Sequence, residues 1–215
     1  MSLNELREGL IVSVEGIDGS GKTTIAKEIE RELLKKGFRT LYTKEPTDSS
    51  LGKAIREIVL RNKSTQLPPL TQALLFNADR NYHINSIIIK ALKEKKIVII
   101  DRFIDSTLAY QGENEEFLNL ITTINKIAVN SNYPDITFLL DIEPELALQR
   151  MRKIFKKNDN FEKLNILTEV RKRYLYIAER DKKRIKILDA SLDIETLVKL
   201  AINVILEMIN LRHLL

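Results

Sequence analysis

The stretch Gly16-Ile17-Asp18-Gly19-Ser20-Gly21-Lys22-Thr23 fits the spacing G-x-x-x-x-G-K-[ST] and follows an apolar run, residues 10–14, that reads as a buried strand. Glycines at these positions let the backbone curl until successive N–H groups point at one phosphate. A helix opening at Lys22 adds the positive end of its dipole at the same place. The pattern assigns phosphate binding to Gly16, Ile17, Asp18, Gly19, Ser20, Gly21, Lys22, Thr23 and Thr24. Lys22 is expected to reach the outer phosphates and act in catalysis, and Thr23 to offer its hydroxyl to Mg²⁺. The chain is therefore expected to use a nucleoside triphosphate.

Outward from this loop, helical and strand patterns alternate. Residues 22–36 carry Ile25, Ile29 and Leu33 on one helical face, with Gly37 placed to end the helix. Residues 38–43 read as an alternating strand stopped by Pro46, followed by helices over 51–62 and 70–93. The run 97–100 is short, β-branched and continuously apolar, as a parallel strand covered on both faces would be. Residues 136–140 repeat that signature, 185–188 do so more weakly, and a last helix spans about 194–211. Strands separated by helices predict an α/β fold with a parallel sheet and right-handed crossovers, in which ligands lie beyond the carboxyl ends of the strands. That rule singles out Glu15, Lys44-Glu45-Pro46, Asp101-Arg102-Phe103 and Asp141. Asp101 is a candidate metal ligand beside Thr23, and Arg102 a candidate fork for phosphate. Asp141 reads equally well as a helix cap.

The 215 residues show no linker, repeat or low-complexity segment, so a single domain over 1–215 is expected. With 44% hydrophobic and 30% charged residues, the composition is globular rather than disordered. The lack of cysteine excludes disulfides, thiolate catalysis and cysteine zinc sites, and His83 and His213, the two histidines, are expected on the surface. The net charge of +5 is interrupted by acidic and apolar residues and no recognition-helix motif accompanies it, so no nucleic-acid partner is expected. Residues 1–8 are too charged for a signal peptide and no apolar run is long enough to span a bilayer, so no membrane partner is expected and the cytoplasm is the expected compartment.

Further strings, taken with the loop, make the chain resemble a known family. They are Glu45-Pro46 with Gly52 and Arg56 downstream, Leu75-Phe76-Asn77-Ala78-Asp79-Arg80, the run from Asp101-Arg102-Phe103 through Ser106 to Ala109-Tyr110-Gln111, and the run from Leu140-Asp141 to Arg150. In this order they resemble thymidylate kinase, a P-loop NTPase fold of the nucleoside monophosphate kinase type. The resemblance implies a five-stranded parallel sheet flanked by helices with a short lid at about 150–162, and ATP-dependent, Mg²⁺-assisted conversion of dTMP to dTDP in pyrimidine deoxynucleotide synthesis by a homodimer. It further implies that Asp18 lies near the dTMP sugar and phosphate site and that Arg56 and Arg102 clamp the dTMP phosphate. Phe76 would stack on thymine and Arg80 donate to its O4, Thr107 and Gln111 would help read the base, and Tyr110 would close the space beside C2′. The acceptor is already anionic, so the chemistry needs cations that bring two polyanions into line rather than a general base.

Two departures from the family pattern stand out. Thr47-Asp48-Ser49 replaces the glycine-rich continuation after Glu45-Pro46, adding an acid to the loop over the acceptor phosphate. The phosphate loop carries Gly19 and Ser20 where some members have arginine, and Asn160 stands where many lids have one. Arg150 and Arg152 are therefore the expected catalytic lid cations, with Lys153, Lys156 and Lys157 as substitutes. The alternatives are another P-loop nucleoside monophosphate or deoxynucleoside kinase, which for a neutral hydroxyl would need a carboxylate base, or a P-loop switch ATPase with no acceptor.

Overall fold

Five parallel strands stand in the order β2-β3-β1-β4-β5 in the computed structural model: β1 (Leu10–Glu15), β2 (Thr40–Lys44), β3 (Ile97–Asp101), β4 (Ile136–Asp141) and β5 (Ile185–Asp189). The structure describes residues 6, 8–61, 67–154 and 161–214, with the side chains at 152–154, 161, 162 and 212–214 outside that description. The connection from β3 to β4 crosses β1 to the opposite side of the sheet. A crevice therefore opens at the carboxyl end of β1, where such folds bind ligands.

Every residue of β1 and β3 is buried, in keeping with central strands covered on both faces. Leu10, Val12 and Val14 turn to one core, shared with α1 (Lys22–Lys35), α8 (Phe161–Arg180) and α9 (Ile194–Leu214). Ile11 turns to the other, with Val98, Ile100, Ile84 and Ile88. Each strand ends on a charged residue. The carboxyl edge is thus marked by Glu15, Lys44, Asp101, Asp141 and Asp189, four of them acids.

Gly37, at φ +84°, ends the first helix as expected: its N–H donates to Leu34 O at 2.9 Å and the Phe38 N–H to Leu33 O at 3.1 Å. Phe38 is consumed in that closure, so the edge strand β2 starts at Thr40 rather than 38. It is half-buried along its whole length instead of alternating.

The helix expected over 51–62 is α2 (Ser50–Ile55) continuing into a wider, π-type stretch, Arg56–Arg61. The long helix expected over 70–93 is α3 (Pro69–His83), a π-type stretch Ile84–Ile88, and α4 (Ile89–Lys93). Such wide turns often sit beside functional sites. The rest of the layers are α5 (Ile104–Gln111), α6 (Glu115–Val129) and α7 (Pro144–Ile154). Among the described residues no helix is long and apolar enough to cross a membrane.

Candidate active site

The phosphate loop takes its shape from Gly16, Gly19 and Gly21, at φ +142°, +85° and +94°, values that L side chains rarely adopt. Gly19 also lies against α7: a Cβ there would come within 2.4 Å of Ala147 O. A side chain there would force the loop or α7 to shift, and in this chain a guanidinium at the transferring group has to come from elsewhere. Lys22 is buried and donates to Ile17 O at 2.8 Å. Burial first, and then the nearby Arg102 charge, pull its pKa down to about 7. Residues Asp18 to Thr24 line a cavity of 1160 Å³ together with Arg150 and the segment 190–194. Gly16 and Ile17 do not face it; Ile17 is buried in the core and the pair gives the loop its path.

Thr23 Oγ1, in the first turn of α1, donates to Asp101 Oδ2 at the end of β3 at 2.5 Å. These two hard oxygens fit Mg²⁺, which takes one or two protein oxygens and completes its shell with phosphate and water. Among the described residues no group of three or more His, Cys, Asp or Glu gathers to cage a metal, so the nucleotide's own phosphates would have to supply the remaining ligands.

A second cavity, of 390 Å³, brings together all the side chains expected to hold the acceptor: Asp18, Arg56, Phe76, Arg80, Arg102, Thr107, Tyr110 and Gln111. It shares Asp18, Lys44, Glu45 and Arg102 with the first. Lys44 and Glu45 follow from the strand-end rule but carried no assigned role in the sequence. Phe76 is absent from both apolar cores and lines the cavity instead.

Arg102 joins the two cavities. It holds a left-handed backbone, φ +68°, which costs a non-glycine residue about 1–3 kcal/mol. Its Nη2 bonds to Asp18 Oδ1 and its Nη1 reaches Ser106 Oγ at 3.3 Å, while the guanidinium sits 5.2 Å from the centre of the Tyr110 ring. Burial pushes the Asp18 carboxyl up, but the Arg102 and Lys22 charges outweigh it and hold it below the usual range.

The helix carrying this wall is gripped by Glu15. Its Oε1 accepts the Phe103 N–H at 2.6 Å and the Ser106 N–H at 3.3 Å, and its Oε2 accepts Ser106 Oγ at 2.6 Å and Tyr174 Oη at 3.0 Å. The carboxylate thus caps α5 from the last residue of β1. Burial and the charge of Asp105 raise its pKa above the ordinary value.

Arg80 is fully committed to protein. Nε donates to Glu45 Oε2 at 3.0 Å, Nη1 to Asn77 at 3.1 Å and Asn125 at 2.7 Å, and Nη2 to Phe103 O at 2.9 Å and Thr107 Oγ1 at 3.0 Å. All five N–H groups are spent, leaving none for the direct contact with a base O4 expected from the sequence. His83, expected on the surface, is buried: Nδ1 meets Glu45 Oε1 at 3.1 Å and Nε2 meets Thr43 Oγ1 at 2.8 Å. Glu45 is the hub that fixes both. Its neighbours Asn77, Arg80 and His83 recur at helical spacing on α3, a polar stripe legible as a buried face only once that face is known to border a cavity.

Arg56 Nη2 donates to Pro46 O at 2.5 Å and Nη1 to Asp48 at 3.4 Å. Asp141 neither caps a helix nor enters either cavity; it takes a bidentate pair from Arg171 at 2.7 and 2.9 Å. Arg152, Lys153, Lys156 and Lys157, with most of the expected lid, lie outside the described side chains, as does His213.

A phosphate loop on a 2-3-1-4-5 parallel sheet, beside a second pocket rich in arginine, defines a P-loop kinase whose acceptor is itself phosphorylated. Residues 14–201 match the family model for thymidylate kinase. The chain is 38% identical over 207 residues to thymidylate kinase from Geobacillus sp. (strain WCH70), spanning 94% of this chain and 99% of that one. It is 37% identical over 202 residues to thymidylate kinase from Mycoplasma capricolum, spanning 92% and 95%. The crystal structure of thymidylate kinase from Ehrlichia chaffeensis superposes with a TM-score of 0.72 at 31% identity, covering 91% of this chain and 97% of the other. The chain belongs to the thymidylate kinase family.

Proposed function

We propose that the protein transfers the γ-phosphoryl group of ATP to dTMP, giving dTDP, with ATP in the loop cavity and dTMP in the smaller one. The observation that carries this reading is the shared wall of the two cavities, Asp18, Lys44, Glu45 and Arg102, which sets a cation between a triphosphate site and an arginine-lined acceptor site. Lys22 and the loop amides neutralise the leaving phosphates. Arg102 and Arg56 orient the acceptor phosphate, so catalysis rests on positioning and charge. Mg²⁺, held by Thr23 and Asp101, would add charge neutralisation across the triphosphate. Arg150 lines the donor cavity and is the candidate cation for the transferring group, with Arg152 two residues further along the chain.

Phe76 offers its ring to the base. Thr107 accepts from Arg80, and its own proton, which has no protein acceptor among the described residues, is then left for thymine O4. Gln111, through its link to Gln72 at 3.2 Å, bounds the pocket, and Tyr110 walls the sugar. A homodimer is supported by large exposed apolar side chains on α3 and the adjoining α6, namely Leu74, Tyr82, Leu120 and Ile127. The cytoplasm as compartment and a single kinase domain over 1–215 with a lid at about 150–162 complete the proposal.

Comparison of acceptors tests it. Rates with dTMP should exceed those with dUMP, and dCMP, whose N4 amino group would take the place of the O4 acceptor for the Thr107 hydroxyl, should fall by about 10² or more in kcat/KM. Equal kcat/KM for dCMP and dTMP would refute the base assignment.

A further inference from the structure

One oxygen of Asp48 bridges two cations of the acceptor cavity: Oδ1 lies 3.3 Å from Lys44 Nζ and 3.4 Å from Arg56 Nη1. Lys44 and Arg56 line that cavity and Asp48 does not, so the carboxylate sits at its rim. We propose that Asp48 is a resident counter-anion, occupying Lys44 and Arg56 until the phosphate of the substrate displaces it, and so setting how tightly this site holds phosphate monoesters and free inorganic phosphate. This rests on the reading of Arg56 as an acceptor-phosphate ligand.

The placement is built by the loop. On one side, the Thr47 N–H and Oγ1 both donate to Asp79, each at 2.6 Å. On the other, Ser49 Oγ accepts the Gly52 N–H at 3.0 Å and caps α2. Gly52 closes the turn, since a Cβ there would lie 2.3 Å from Thr47 O. With both neighbours tied, Asp48 projects from a fixed backbone.

Arg56, for its part, does not need Asp48 to hold its position, because Nη2 is held by Pro46 O at 2.5 Å. The carboxylate therefore takes the end of the fork that a phosphate would use. A dianion with three oxygens outcompetes a single carboxylate for two cations, but it gains only the difference between the two. Lys44 and Arg56 outweigh the slight burial of Asp48 and keep its carboxyl below the usual range, so it stays charged at neutral pH. Its side chain is 66% exposed, which limits the effect to that of a solvent-screened pair.

The test compares wild type with Asp48→Asn, which keeps size and removes charge, by calorimetric titration with dTMP, inorganic phosphate and thymidine. The variant should bind dTMP and inorganic phosphate about threefold to tenfold more tightly at low salt, with the gain shrinking near 1 M salt, and thymidine unchanged. Unchanged or weaker dTMP binding in Asp48→Asn would overturn the proposal, and weaker binding would make Asp48 a brace for Arg56. Arg56→Ala separates the underlying reading: it should weaken dTMP but not thymidine, and dTMP binding that survives Arg56→Ala would remove the phosphate role of Arg56 itself.

Discussion

Glu45 Oε2 lies 3.0 Å from Nε and 2.9 Å from Nη2 of Arg80, and the two side chains are 6% and 2% exposed. The pair forms the floor of the acceptor cavity, with His83 on the other carboxylate oxygen. Removing one partner strands a buried charge, which typically costs about 3–5 kcal/mol. Glu45→Ala should therefore lose stability by that amount in urea unfolding, and its melting temperature should drop by about 2–4 °C per kcal/mol. A loss below about 1 kcal/mol would mean that the network relaxes around the gap.

Glu15 gives a pH dependence whose sign is fixed. Its folded pKa lies above the unfolded value, so between the two the native state binds more protons and stability falls as pH rises. Glu15→Gln has no such slope. The stability advantage of wild type over Glu15→Gln should be full below pH 4.5 and shrink as the pH is raised through the folded pKa; a constant difference would contradict the raised value.

Lys22 is expected to be dispensable for folding and necessary for catalysis. Its folded pKa of about 7 lies below the ordinary 10.5, so at neutral pH the buried ammonium opposes folding. Lys22→Ala should remain folded while kcat falls by about 10² or more. Near-normal kcat in the folded variant would contradict the role given to the phosphate loop.

Arg150 carries the burden that Gly19 cannot. Arginine fingers are worth about 10³ to 10⁵ in kcat in P-loop enzymes, so Arg150→Ala should lower kcat steeply and leave the Kd of dTMP within a few fold. A raised KM for ATP with kcat intact would assign Arg150 to nucleotide binding and move the catalytic cation to another lid residue.

The sheet and the loop were legible because their causes are local. The glycines at 16, 19, 21 and 37 mark left-handed backbone, and the β-branched run 97–100 marks a strand covered on both faces. The strand-end rule then found Asp101, Arg102 and Lys44 by topology. Contacts made across the chain were not legible. The grip of Glu15 on Ser106 and Tyr174 spans 91 and 159 residues, and the tie of Thr47 to Asp79 spans 32. His83 was misplaced because apolar periodicity finds faces buried in oil-like cores. The face of α3 that carries Asn77, Arg80 and His83 is buried by polar partners. Arg80 lines the cavity, and its saturation by four side-chain acceptors and the Phe103 carbonyl depends on groups brought together from four segments.

The central claim is that the two cavities work as donor and acceptor sites of one transfer. Release of ADP from ATP and Mg²⁺ should be followed with and without dTMP in a coupled assay, alongside thymidine as a neutral acceptor. ADP should appear with dTMP, in step with dTDP, and stay near background with ATP alone or with thymidine. Equal ADP release without dTMP would make the protein a hydrolase, and faster release with thymidine would make it a nucleoside kinase; either result contradicts the account.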